Sequence, residues 1–147
     1  MKGIENMNID ITSLGKRLFT NFKNYLDSSL EGIIKVPVRQ YAIENQYPLV
    51  VFEESTNIDA SHTIDKYKMN STRGLSYTIT ILATDTPNMT SYEICNLIAS
   101  HVANIMENGF NMTGGINSKF SNINSSKATR WVFKYTCTWD IVNDVIY

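Results

Sequence analysis

Two stretches of alternation constrain what this chain can fold into more than any other feature. In "GLSYTITILATD", Leu75, Tyr77, Ile79, Ile81 and Ala83 share one parity, and Ser76, Thr78 and Thr80 the other. In "RWVFKYTCTWDIV", Trp131, Phe133, Tyr135, Cys137 and Trp139 alternate with Arg130, Lys134, Thr136, Thr138 and Asp140. Successive side chains of a strand point to opposite faces. Each stretch therefore predicts a strand with one apolar face, as in an antiparallel sheet covered on one side.

Two segments of helical period supply the cover. In Thr12–Leu30, Leu14, Leu18, Phe22, Leu26 and Leu30 recur every four residues, with Phe19 and Tyr25 widening the stripe. Thr12 or Ser13 is the expected cap, and Gly32 stands just past the end. The second is "TSYEICNLIASHVANIMENGF", Thr90–Phe110. Thr90 and Glu93 fit a capping box, and Asn108-Gly109 is the expected left-handed exit.

The rest reads as follows. Pro48–Glu53 predicts a strand around Leu49-Val50-Val51-Phe52, while 37–46 leaves helix and extended arm open. Ser55–Arg73 is polar and aperiodic, a long loop of the kind that is usually functional. Phe110, Met112, Ile116 and Phe120 share one parity, predicting a strand weakened by Gly114 and Gly115, and "SNINSSKAT" reads as a hairpin loop. A second long loop is expected over about Asn117–Ala128. The order is helix, strand, strand, helix, strand, strand. It predicts one α+β domain over 1–147, with two helices on one face of a four-stranded antiparallel sheet.

The candidate chemistry is sparse. His101 sits amid the stripe of Ile94, Leu97, Ile98, Val102 and Ile105, which favours packing; Cys95 lies about 120° around the helix. His62, near Asp59 and Asp65, lacks the ligand spacing of a metal site. Glu53 and Glu54 are adjacent in a strand and point to opposite faces, so they form no acid/base pair. Thr113-Gly114-Gly115 has no following lysine or helix start, and so is a bulge or turn rather than a phosphate loop.

Cys95 and Cys137 fall in apolar periodic segments and are expected as buried thiols of a reducing compartment. The start of the chain lacks the apolar core of a signal peptide. Four N-x-S/T sequons are expected to be unglycosylated, and no run approaches the roughly 18 apolar residues of a membrane span. A net charge of −1 argues against tight nucleic-acid or anionic-membrane binding. No catalytic residue, cofactor or metal is expected. Unpaired sheet edges must be protected or used, and head-to-tail use of them permits closed rings.

The element order, "YPLVVFEE", "GLSYTITILATD", a capped helix ending "MENGF" and the closing "TRWVFKYTCTWDI" together resemble the tail terminator (tail completion) proteins of long-tailed bacteriophages. The likeness spans about Thr12–Val142. It implies a small α+β virion protein, made in the host cytoplasm, that forms a ring, commonly a hexamer, on the last ring of the tail tube and presents a surface to the head-side connector or neck protein. Genome DNA would pass through the lumen without sequence-specific binding. The resemblance transfers no residue motif and implies no catalysis, and the same fold serves phage-tail-like bacteriocins and neighbouring neck proteins. Ile58, Ile64, Tyr67 and Met69, apolar residues in the polar loop, are the expected partner anchors. The rival expectation is a small ligand-binding or regulatory module, with a pocket between helices and sheet and a polar role for His101.

Overall fold

The computed structural model describes residues 10–43, 45–59, 72–121 and 128–147. Helix α1 (Ser13–Ser29) is followed by strands β1 (Val38–Arg39), β2 (Leu49–Asp59) and β3 (Thr72–Thr84). Helix α2 (Ser91–Ala103) runs on as a π-helical segment, Asn104–Gly109, into β4 (Thr113–Ser121), β5 (Ala128–Asp140) and β6 (Val145–Ile146). The strands form one sheet in the order β1-β2-β3-β5-β4, with β6 beside β5.

The α+β class and its two helices agree with expectation, but the sheet is larger and mixed. Each of the four long strands runs antiparallel to its long neighbours. Two short pieces were not anticipated: β1 pairs with β2 in parallel, and β6 folds back on the end of β5. A two-residue strand is too short to leave a periodic trace. Because a parallel pair cannot be joined by a tight turn, the chain spends 40–48 returning from β1 to the start of β2.

The alternation in β3 and β5 is realised residue by residue. Ile79 faces Phe133, Tyr77 faces Tyr135, Ile81 faces Trp131 and Leu75 faces Cys137. These inner-face residues are all buried, in one cluster with the apolar stripes of both helices. On α1 the stripe is Leu14, Leu18, Phe22 and Leu26. Phe22 lies 5.0 Å, ring to ring, from Phe52 of β2, which in turn lies 5.2 Å from Tyr77. Tyr25 falls outside the stripe and is exposed. Leu49 and Val51, on the outer face of β2, are also fully buried, so that face is not wholly solvated near β1.

Helix ends differ from expectation in detail. Neither Thr12 nor Ser13 caps α1 through its side chain; Asp10 does, its Oδ1 accepting from Thr12 N at 2.9 Å. A carboxylate outranks threonine as a partner for orphan amides. In α2 the capping box forms, with Glu93 N donating to Thr90 Oγ1 at 3.2 Å. Glu93 Oε1 accepts from the Thr90 hydroxyl rather than from its amide. Asn108-Gly109 is not the left-handed exit. The helix widens so that Phe110 N bonds Ile105 O at 2.8 Å, and Asn111, φ 57°, makes the reversal. This places Phe110 and Met112 in the core.

Two bulges hide strand from a reading by alternation, since an extra residue flips every later side chain. One lies between Glu54 and Thr56. Beyond it β2 continues to Asp59, paired with β3 back to Arg73, so the expected loop Ser55–Arg73 is strand at both ends. The other lies between Ile116 and Ser118. It puts Ile116 opposite Phe133 on the inner face and Phe120 opposite Arg130 on the outer face, not on one face as expected. The second expected loop is likewise strand as far as Ser121.

Gly114 is required where it stands. Its φ is +153°, and a Cβ there would run into the carbonyl of Lys134 across the ladder. Gly115 has a similar φ of +155° but open space around it. Gly114→Ala is therefore expected to lose at least about 1–3 kcal/mol of stability from backbone strain alone, and more than Gly115→Ala. Urea denaturation of both variants checks this; equal losses would contradict the steric argument.

Candidate interaction surface

The buried polar groups of the core are mostly engaged with one another. Tyr77 donates its hydroxyl to Glu54 Oε1 at 3.0 Å, and burial, then the Glu54 charge, pushes its pKa strongly up. The Ser91 and Thr129 hydroxyls bond at 2.7 Å. Cys95 and Cys137 are free and buried. Burial pushes the Cys95 thiol up to about 12; burial and the Glu54 charge push Cys137 up to about 11. Neither is a thiolate near neutral pH, so neither is a ready nucleophile. Glu53 and Glu54 are both exposed and point to opposite faces, with Glu54 held by Tyr77.

His101 is half-buried on α2. It lines neither of two surface hollows. A groove of about 810 Å³ lies between the end of α1 and 30–39, with Lys23, Glu31, Lys35, Arg39 and Gln46 among its walls. A smaller hollow of about 280 Å³ is bounded by Lys16, Gln40, Glu53, Glu54 and Tyr77. Among the described residues, no three His, Cys, Asp or Glu side chains cluster as metal ligands, and no helix is long and apolar enough to cross a membrane. His62 lies outside the described residues. Thr113-Gly114-Gly115 opens β4 as part of the ladder.

Among the described residues the sheet has two borders, β4 on one side and β2 beyond β1 on the other. On one side, pairing of β2 with β1 ends at Val51. The border from Glu53 to Asp59 carries Glu53, Glu54 and Asp59 and no basic residue. Its residues are held to β3 by side chains as well as by the ladder. The Ser55 and Thr78 hydroxyls bond, Thr56 and Ser76 do so at 2.7 Å, and Arg73 Nε donates to Asn57 Oδ1 at 2.8 Å. Asn57 Nδ2 donates to Ile11 O at 2.7 Å, tying this end of β2 to the start of α1. Of the four expected anchors, Ile58 lies here, 62% exposed; Ile64, Tyr67 and Met69 lie outside the described residues.

On the other side, β4 has a described neighbour only in β5. Ile116 and Phe120 are exposed on its two faces, 47% and 44%. Lys119 Nζ sits 4.2 Å above the Trp131 ring, and Arg130 lies 4.7 Å from the centre of Phe120. Lys134 is exposed on the outer face opposite Gly115. Lys119 on β4, with Arg130 and Lys134 on the adjoining β5, makes this side of the sheet basic.

The C-terminal turn fastens the sheet to α1. Arg17 donates twice to Asp144, at 2.8 and 2.7 Å, and Trp139 Nε1 donates to Asp144 Oδ1 at 2.9 Å. These bonds, Arg17 first, hold the Asp144 carboxyl down to about 2. Sequence reading missed this clasp because its members lie at opposite ends of the chain. No protein-family model and no curated protein matches the chain.

A folded-state pKa below the ordinary carboxylate value contributes stability above that value and loses it as pH falls. The pair is half-exposed, which limits its worth to about 1 kcal/mol or less. Asp144→Asn should therefore melt lower than the parent chain near pH 7. The difference should shrink between about pH 4 and about pH 2. Thermal melts across that range check it; a constant difference would show that the charge on Asp144 is not what matters.

Proposed function

We propose that this chain is a structural, self-assembling protein of the tail-terminator kind, a ring-forming cap at the head-proximal end of a phage-like tail tube. The observation that carries the reading is the arm made by the far ends of β2 and β3. It extends the sheet past the buried Leu49–Phe52 stretch into a run that is mostly exposed from Glu53 to Asp59, with Ile58 bare on its surface. An exposed apolar side chain on a braced, hydrogen-bonded arm suits contact with a partner surface, since the arm loses little freedom when it docks. Most of the buried apolar and aromatic residues among those described cover one sheet face.

On this reading the partners are further copies of the chain in a ring, commonly six in the family it resembles, with the tail tube protein below and a connector or neck protein above. DNA would pass through the lumen by steric fit and without sequence readout. The protein would reside in the neck or tail of a virion or a phage-tail-like particle.

The test mixes the purified chain with tail tubes that lack their terminator and images them in negative stain. The parent chain is expected to cap tube ends and hold tube length constant. Ile58→Ser, which leaves the sheet interior untouched, should reduce capping several-fold while its melting temperature stays the same. Tubes whose ends remain bare and whose lengths stay variable would remove the tail-terminator reading.

A further inference from the structure

We infer that copies of this chain associate head to tail by continuing the sheet, the basic β4 border of one copy adding to the acidic Glu53–Asp59 border of the next. The inference deepens the ring-forming reading and rests on it for the idea that the chain meets its own copies. The residues that do the joining come from the topology.

Strand direction makes the junction antiparallel. β2 runs against β3, β3 against β5, and β5 against β4, so β4 runs opposite to β2. A second copy set beside the first in the same orientation therefore offers β2 to β4 as an antiparallel partner, the pairing with the better-aligned hydrogen bonds. Both borders are long enough to use. β4 spans nine residues, and β2 is unaccompanied by β1 from Glu53 onward.

Charge favours the same arrangement on both faces of the sheet. On the inner face, Lys119 belongs to the β4 border and Glu54 to the β2 border. On the outer face, Phe120 of the first border carries the Arg130 guanidinium over its ring, and Glu53 belongs to the second. Pairing two β4 borders, or two β2 borders, would set like charges together, which is destabilising across strands. The surface is thus matched to its opposite rather than to itself, and a heterologous contact closes into a ring or runs on as a filament.

The borders are offset along the strands. Lys119 is level, through Trp131 and Ile81, with Val50, and Thr113 is level, through Thr136 and Ser76, with Thr56. Bringing Lys119 level with Glu54, on the same face of the sheet, requires a slip of about four residues, roughly 13 Å at the rise of a strand, an even number as side-chain alternation demands. Such a stagger is the shear that any sheet needs in order to close on itself.

The test is sedimentation equilibrium of the full chain at low and high salt, with Glu53→Lys and Lys119→Glu studied separately and as an equimolar mixture. Both positions are exposed, and unchanged thermal melts confirm folding. The parent chain is expected to associate more tightly at low salt. Each variant alone should associate about tenfold more weakly, from an attraction replaced by a repulsion. The mixture should recover parent-like affinity, because each variant then offers the other a matched border.

A parent chain that stays monomeric at millimolar concentration would overturn the inference. So would variants that associate like the parent, or a mixture no tighter than its components. Tube capping by the same proteins separates the two readings. A chain that caps tubes yet ignores border charge keeps the terminator reading and loses this one. A chain that associates through its borders and ignores tubes does the reverse.

Discussion

The structure depends on the burial of one sheet face. Ile79 against Phe133, Ile81 against Trp131 and Tyr77 against Tyr135 build a continuous apolar surface along β3 and β5. At roughly 25 cal/mol per Å² of apolar area removed from water, such a surface cannot be left wet. The two helices lie where they do because that surface needs covering. Their stripes, Leu14 to Leu26 and Ile94 to Val102, have the width to do it. Placement of the arm, the borders and the C-terminal clasp follows from that packing.

The legible parts of the sequence were those where one periodicity ran unbroken. β3, β5 and the two helical stripes are of this kind, and with them the α+β class. The misread parts each have a physical cause. A bulge at Ser55 changed parity just where side chains became polar on both faces, so hydroxyl and amide pairs hold strands together without any apolar alternation. The bulge at Asn117 separated Ile116 from Phe120. β1 and β6 are two residues each, below the length at which alternation can register. The Arg17–Asp144 clasp joins residues far apart in the chain, and spacing carries no information about such a contact.

The candidate surface was only partly legible. Ile58 could be singled out as an apolar residue in a polar stretch, and it is exposed. The charge asymmetry of the two borders could not be seen, because it needs the strand order. Glu53 and Lys119 become members of opposite borders only once β3 and β5 are known to lie between β2 and β4. An asymmetric sheet of this kind has a direction, and direction is what a ring of identical copies requires.

Amide hydrogen exchange on the free chain and on the chain assembled on tail tubes tests the central claim most directly. The account predicts that protection rises together in Glu53–Asp59 and in β4, while the amides of β3 and β5, already paired on both sides, change little. Protection gained instead along the groove at the end of α1, with both borders exchanging as before, would contradict it.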